Sequence, residues 1–190
     1  MIGLKRGTVE LVPHQKEWRE NAEKIIRLLK QILGSAAVDI QHVGSTAIFL
    51  IHAKPIIDIA VAVHELKDVL PYIEVLKQHN IIFRGEIVPG EILFIMGNDD
   101  MRTHHIHIVT WGGTEWNNYI NFRDYLNADP EKAMLYDACK QKLALQFSKA
   151  RKDYTAGKEE IINQLLLEAG VWRLSGENDK SKSAFSSKLS

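Results

Sequence analysis

One carboxylate lies inside an apolar run of the sequence, where burial of an unpaired charge would be costly. Asp58 lies within IIDIAVAV, residues 56–63. A near-continuous apolar run of this length predicts a strand covered on both faces. Because side chains alternate along a strand, Asp58 shares a face with the small residues Ala60 and Ala62, where a ligand or a backbone can approach. Asp58 therefore either holds a divalent metal and phosphate oxygens, or satisfies buried amides or an arginine.

A Gly-Ser pair upstream favours the first interpretation. Gly44 and Ser45 follow a predicted strand, and Gly44 stands fourteen residues before Asp58. A glycine lets the backbone approach a phosphate closely, while the serine hydroxyl and free amides can donate to it. The sequence therefore predicts a phosphate cradle of Gly44, Ser45 and Thr46. Lys54 follows this loop and either neutralises phosphate or is a solvated loop lysine.

Three histidines border the same segments. His105 and His107 are two apart on a predicted strand, so their side chains share a face and can share a metal ion or bracket a phosphate. Alternatively, these two histidines are polar surface residues or core residues whose hydrogen bonds are satisfied. His42 ends the strand before Gly44 and either orients the loop or packs at the strand end.

These residues need a scaffold of strands and helices, and hydrophobic periodicity predicts one. An amphipathic helix is expected over 15–33, a second over 66–78, and two more over 130–150 and 155–170. An Asp129-Pro130 pair marks the start of the third helix. The expected strands are 7–12, 38–43, 56–63, 81–87, 91–96 and 104–110. This order predicts an α/β or α+β fold, with a sheet part over 1–112, a helical part over 113–172 and a disordered tail over 173–190.

Composition excludes several classes of protein. The 190 residues carry 24 basic and 24 acidic side chains, so no bulk charge favours nucleic acid or membrane binding. A lone cysteine, Cys139, excludes an intrachain disulfide and favours a reducing, cytoplasmic setting. We find neither an apolar core of signal-peptide length at the N-terminus nor an uncharged run near the roughly 20 residues that span a bilayer. Walker A, nucleophile-elbow and CxxC or HExxH zinc patterns are also missing.

The sequence closely resembles the GrpB family of the nucleotidyltransferase-like superfamily. Five pieces carry the resemblance: HVGSTA at 42–47, AKPIIDIAV at 53–61, HIHIV at 105–109, FRDYLNADPEKAMLYDACKQKLA at 122–144, and YTAGKEEII at 154–162. The resemblance implies a nucleotidyltransferase-like mixed sheet of about five strands, flanked by helices, with C-terminal helices packed on it. It also implies that the Gly-Ser pair binds a nucleotide triphosphate beside Mg²⁺.

The sequence departs from the superfamily pattern at the acidic clamp. Asp58 matches the second acid of the metal-binding pair, but Ile56 occupies the first position. His107 lies where a third acidic ligand belongs and is expected to replace it as a metal ligand. The loop after Gly44-Ser45 carries bulky residues where the family usually has Pro-Gly, and Glu91 stands where relatives often have a basic residue.

Further cations recur in or near the pieces that carry the resemblance. Arginine offers a bidentate fork to phosphate, so Arg102 and Arg123 are expected to bind it together with Lys158, with Lys140 in support. Arg123 can equally pair with a carboxylate in a helix-packing network, and the lysines can lie on helix surfaces.

The predicted function is binding of a small-molecule nucleotide or nucleoside phosphate, with Mg²⁺ or Mn²⁺ on Asp58 and His107. Metal-dependent nucleotidyl transfer to an unidentified acceptor is the catalytic version, with Asp58 as its catalytic residue. The alternative is a non-catalytic nucleotide- or anion-binding protein that has lost part of the acidic clamp.

Overall fold

A mixed six-stranded sheet forms the centre of the fold. The computed structural model describes residues 2–98 and 100–186, with side chains up to residue 176. The sheet order is β2-β3-β6-β5-β4, with β1 added along β6. Only the β3–β6 pairing is parallel. The strands are β1 (Leu4–Lys5), β2 (Asp39–Val43), β3 (Ile57–Val63), β4 (Ile82–Val88), β5 (Glu91–Gly97) and β6 (Met101–Thr110).

Helices cover both faces of this sheet. On α1, the buried residues Trp18, Ala22, Leu29 and Leu33 recur at helical spacing, so this helix lays one apolar stripe on the sheet. The C-terminal helices pack on the opposite face. The helices are α1 (Lys16–Leu33), α2 (Ile73–Gln78), α3 (Thr114–Ala128), α4 (Pro130–Gln146), α5 (Arg151–Ala156) and α6 (Glu159–Ser186).

The alternation along β3 divides the apolar residues between two layers, as the sequence predicts. Ile57 and Ile59 lie in the core that contains α1, whereas Ala60 and Ala62 pack with Trp116 of α3 on the other face. Asp58 belongs to this second face, beneath the C-terminal helices. The predicted class, a mixed sheet flanked by helices, is confirmed.

The N-terminal strand prediction, 7–12, was wrong. Gly7 has a φ of 87°, and the Thr8 hydroxyl donates to the Lys5 carbonyl, so the chain turns where a strand was expected. Val12 makes only an isolated bridge with Ala53. The helix predicted over 66–78 is a 3₁₀ segment, Leu66–Tyr72, followed by α2.

The predicted helix start at Asp129 is confirmed. The Asp129 carboxylate accepts hydrogen bonds from the amides of Glu131 and Lys132. The next predicted helix, 155–170, divides into α5 and α6. Helix α6 continues to Ser186, through most of the predicted tail, and residues 187–190 lie outside the described residues. Of the helices in the described residues, none combines the length and apolarity needed to cross a membrane.

Candidate metal and phosphate site

The parallel pairing of β3 with β6 brings Asp58 to the predicted histidines. Asp58 stands opposite His105, and Ala60 stands opposite His107. The Oδ1 atom of Asp58 lies 3.1 Å from Nδ1 of His105 and 3.5 Å from Nε2 of His107. One ligand atom from each of the three side chains falls within 4.8 Å of the others. The pair on one strand and the acid on the next therefore form a single cluster.

A second carboxylate fixes the orientation of His107. The Nδ1 atom of His107 lies 2.7 Å from Oε1 of Glu91, and the Tyr119 hydroxyl donates to Oε2 of Glu91 at 2.8 Å. Burial lowers the pKa of His107, but hydrogen bonds to Asp58 and Glu91 outweigh burial and raise it to about 9. Glu91 thus leaves the Nε2 side of the imidazole facing Asp58.

The Asp58 carboxyl is ionised in this setting. Burial raises its pKa, but hydrogen bonds to His105 and His107 outweigh burial and hold the pKa well below its usual range. About a quarter of the side chain, 26%, is still exposed, and it faces a cavity. The ionised carboxylate is therefore accessible to a cation from that side.

The Gly-Ser loop lies directly on Asp58. Gly44 has a φ of 69°, and a β-carbon there would be 2.5 Å from Oδ2 of Asp58, so only glycine fits. Thr46 is fixed by a 2.9 Å hydrogen bond to Nε2 of His42, whose pKa burial lowers to about 4. His42 therefore links the end of β2 to the Gly-Ser loop through this hydrogen bond.

Cations also line this cavity, whose volume is about 400 Å³. The Nζ atoms of Lys54 and Lys158 lie 5.3 and 4.7 Å from the ring centroid of Tyr154, and Arg151 lines the same wall. Within the described residues, neither Nζ atom has a hydrogen-bond or ion-pair partner. Burial, and then the charges of Lys158 and Arg151, lower the pKa of Lys54 to about 7, while the charge of Asp58 opposes this shift. Asp58 acts on Lys158 in the same direction, so its carboxylate is the protein charge that the two lysines sense without contact.

Lys140 has a different environment. It is 1% exposed, and its Nζ donates to the carbonyl of His52 and lies 3.7 Å from Asp137. Burial is the main cause that lowers its pKa to about 7. Lys140 lines the cavity floor, but it also anchors α4 to the loop before β3.

The two predicted arginines do not join the cluster. Arg102 precedes an irregularity in the β5–β6 register, and its Nη1 donates to the carbonyl of Asn98. Arg123 donates to the carbonyl of His42 and forms an ion pair with Asp124. Neither lines the cavity beside Asp58.

An apolar cavity of about 280 Å³ adjoins the first. The two cavities share Gly44, Ser45 and Tyr119, and Phe122 and Leu166 are among the residues that line the second one. A polar cavity with charged walls therefore opens beside an apolar one, with the Gly-Ser loop between them.

Comparison with known proteins identifies the family. The GrpB protein model matches residues 8–168. This chain belongs to the GrpB family. The glutamate-rich protein GrpB of Alkalihalophilus pseudofirmus is 38% identical over 173 residues, which cover 88% of this chain and 99% of that protein. The crystal structure of GrpB from Enterococcus faecalis has a TM-score of 0.79 at 31% identity, covering 84% of this chain and 96% of that one.

The family resemblance that the sequence predicted is thereby confirmed. A cytoplasmic RNA terminal U-transferase is a much more distant neighbour of this GrpB-family chain. Its TM-score is 0.45 at 14% identity, over 71% of this chain and 39% of that one. At this distance the likeness says nothing about activity.

The bulky loop of this GrpB-family chain does not fill the site. Ile48 and Ile51 turn away and pack against Leu126 and Leu165 in the C-terminal helices. The loop thereby ties the sheet to the helical layer and leaves the cavity beside Asp58 open.

Several site residues escaped the sequence analysis. Glu91 was noted only as a departure from the family pattern, and Tyr119 and Arg151 were not singled out. Their roles depend on packing between segments that are distant in sequence: Tyr119 of α3 meets Glu91 of β5, 28 residues away. The one local signal was a glutamate at the start of an otherwise apolar strand, EILFIMG.

The cluster can be tested against the expected metals. Its donors are one carboxylate oxygen and two imidazole nitrogens. Imidazole suits Fe²⁺, Ni²⁺, Cu²⁺ and Zn²⁺, and the affinity of a mixed nitrogen–oxygen site is lowest for Mn²⁺ among the first-row divalent ions. Mg²⁺ prefers an octahedron of oxygens. The later transition metals therefore fit all three side chains best, Mn²⁺ fits them less well, and Mg²⁺ fits Asp58 alone.

Proposed function

We propose that this GrpB-family chain binds a nucleoside polyphosphate together with a divalent metal ion in the cavity between Asp58 and Tyr154. One observation carries the proposal. The Asp58–His105–His107 cluster lines the same cavity of about 400 Å³ as Lys54 and Lys158, whose Nζ atoms contact no carboxylate of the described residues. An anion bound between them satisfies both sides, because it offsets the lysine charges and can ligate a cation on the cluster.

The chain's own groups would bind the phosphates. Gly44, Ser45 and Thr46 line the cavity. The Thr46 hydroxyl is bonded to His42, so this loop would offer the Ser45 hydroxyl and its backbone amides to a phosphate. Lys54 and Lys158 would supply positive charge to the phosphates. The ring of Tyr154, which both Nζ atoms approach, would help to position them. A metal ion on Asp58 and the two imidazoles would offset phosphate charge from the sheet side.

The apolar cavity supports a nucleoside rather than inorganic polyphosphate. It begins at Gly44 and Ser45, where the phosphates would end, and aromatic and aliphatic side chains of Tyr119, Phe122 and Leu166 line it. Such walls suit a base and a ribose better than further phosphate.

Nucleotidyl transfer to an unidentified acceptor is the catalytic form of this proposal, and binding without transfer is the alternative. Ile56 is 3% exposed and lines the cavity where the superfamily pattern has its first acid. Glu91 does not replace that acid, because His107 and Tyr119 already engage its two oxygens. This missing acid favours binding without transfer.

A thermal-shift series tests the proposal. The chain is melted with nucleoside triphosphates, with pyrophosphate and with nucleosides, each with and without Mn²⁺. A ligand at about 100 times its Kd stabilises the folded state by about 2.7 kcal/mol, or roughly 5–10 °C for a chain of this size. We expect the largest shift with a nucleoside triphosphate plus Mn²⁺. No shift with any nucleotide at several millimolar contradicts both binding and transfer.

A further inference from the structure

We infer that Asp58, His105 and His107 form a site for a first-row transition metal that accepts imidazole nitrogen, in the series Mn²⁺ to Zn²⁺, and not a Mg²⁺ site. The inference deepens the proposed function, because it names the metal class of the same cavity. It concerns the free protein and does not require a nucleotide to be bound.

The separations of the donor atoms support a shared ion. Two donors that each lie about 2.0–2.2 Å from one ion are about 2.8–3.6 Å apart when they subtend roughly 90–110° at it. The separations from Asp58 Oδ1 to the two histidine nitrogens are 3.1 and 3.5 Å, within that window. Small movements would therefore suffice to place an ion among them.

The surroundings of His107 match those of a metal-ligating histidine. Such a histidine usually directs its second ring nitrogen to a carboxylate, which fixes the ring and the tautomer. Glu91 contacts Nδ1 of His107 at 2.7 Å, and Tyr119 holds Glu91 in turn. The side chains of His107 and Glu91 are only 14% and 13% exposed, so packing preserves this orientation.

The donor set is the argument against Mg²⁺. Mg²⁺ requires near-octahedral oxygen ligands, and Asp58 is the only carboxylate in the cluster found among the described residues. Two imidazoles and one carboxylate are typical of transition-metal sites that keep open positions for water or substrate. The open positions here would face the cavity and its lysine wall.

The competing interpretation is a cluster of hydrogen-bonded charges that binds no metal. The same distances allow Asp58 and Glu91 to flank a protonated His107 as a structural ion pair. A metal titration separates the two interpretations, because the structural cluster gives no stoichiometric, cluster-dependent metal binding.

The test uses the full chain, treated with chelator, exchanged into metal-free buffer and kept without nucleotide. Calorimetric titrations with Mn²⁺, Co²⁺, Zn²⁺ and Mg²⁺ are compared, and the visible spectrum of the Co²⁺ form is recorded. We expect one equivalent of Co²⁺ or Zn²⁺ to bind at least 100-fold more tightly than Mg²⁺, with cobalt absorption bands that differ from those of aqueous Co²⁺. Mg²⁺ binding of equal or greater affinity, or no stoichiometric transition-metal binding, overturns the inference.

Three variants place the metal in the structure. His107→Ala should abolish tight binding, and Glu91→Gln should weaken it about 10- to 100-fold, as loss of an orienting carboxylate does. His79→Ala removes an exposed histidine and should change nothing. The melting temperature of each variant is recorded, and Glu91→Gln keeps the test valid if His107→Ala does not fold. Tight binding that survives in folded His107→Ala and Glu91→Gln places the metal elsewhere and overturns the inference.

Failure of this inference is distinct from failure of the proposed function. Nucleotide binding in the thermal-shift series together with a preference for Mg²⁺ contradicts the inference but supports the proposed function. Binding of Co²⁺ or Zn²⁺ at the cluster without any nucleotide binding supports the inference but contradicts the proposed function.

Discussion

Gly44 and Asp58 are in direct contact across the start of the Gly-Ser loop. A β-carbon on Gly44 would lie 2.5 Å from Oδ2 and 2.9 Å from Cβ of Asp58. Real side-chain carbons do not approach other atoms this closely, so the loop is seated on the carboxylate because this position has no side chain. The contact joins the Gly-Ser loop and the Asp58–His105–His107 cluster into one unit.

Gly44→Ala should therefore disrupt the site as well as the fold. Its φ of 69° is strained for alanine, which costs about 1–3 kcal/mol, and the new methyl group must displace Asp58. We expect a lower melting temperature and at least a tenfold loss of metal affinity, measured by calorimetry.

Gly112→Ala is the matched control. Gly112 has the same φ of 69°, but a β-carbon there meets nothing within 4 Å. It should show the backbone strain without the loss of metal affinity. Equal metal affinity in folded Gly44→Ala and Gly112→Ala contradicts the contact as the cause.

Asp58→Asn separates enzyme, binding protein and structural ion pair. We expect the fold to survive, since Glu91 still pairs with His107, and the metal-linked part of nucleotide binding to disappear. If transfer occurs, its rate should fall about 10²–10³-fold, as loss of one strong electrostatic contribution does. Melting, nucleotide binding and turnover are measured on the same sample. A variant that melts several degrees early and binds nucleotide unchanged would show that Asp58 is structural.

Lys54→Met should stabilise the free protein while weakening phosphate binding. The pKa of Lys54 falls from 10.5 to about 7 on folding, so its charge destabilises the folded state fully below pH 7 and progressively less up to pH 10.5. We expect a higher melting temperature at pH 7, a smaller gain at pH 10, and loss of pyrophosphate protection. Lys152→Met, at an exposed position on α5, should change neither. A lower melting temperature for Lys54→Met than for the unmodified protein at pH 7 would contradict the prediction that the Lys54 charge destabilises the folded state.

Pyrophosphate affinity without metal should fall as pH rises above 7. The free protein loses the Lys54 proton in this range and must regain it to bind an anion, which weakens affinity by up to about tenfold per pH unit. Lys54→Arg should flatten this dependence between pH 7 and 9, because a guanidinium stays protonated. Titrations of both proteins at three pH values decide the point. A slope that is equally steep in Lys54→Arg assigns the proton to another group.

Leu166→Trp should distinguish nucleotides from inorganic phosphates. Leu166 lines the apolar cavity, and an indole there would fill the space proposed for the nucleoside. We expect at least tenfold weaker nucleoside triphosphate binding with unchanged pyrophosphate binding. Leu167→Trp, on the neighbouring side chain that is 76% exposed, is the control. Equal losses for the nucleotide and pyrophosphate place the nucleoside elsewhere.

Much of the metal cluster could be predicted because strand alternation is a local rule. Asp58 shares a face with Ala60, and His105 shares one with His107, whatever the sheet around them. Strand alternation does not place Arg102 in the same way, because an irregularity in the β5–β6 register separates it from His104. The family resemblance alone supported Arg102.

The convergence of Lys54 and Lys158 on one cavity was harder to derive from the sequence. Lys54 and Lys158 are about a hundred residues apart, and only the packing of α5 and α6 over the sheet brings both to Tyr154. The role of Arg123 depends on the same docking, since its partners on β2 lie 81 and 82 residues away. Local periodicity carries no information about such distances.

The parallel pairing of β3 with β6 also determines when the site can exist during folding. Asp58 and His105 are 47 residues apart, and the chain between them includes β4 and β5, which lie beyond β6 in the sheet. Pairings of this kind are slow, because loop-closure entropy is lost before contacts compensate for it. The lysine wall requires still later segments of the chain. Ligand binding would therefore act as a check on completed folding, since an incomplete chain presents only one half of the cavity.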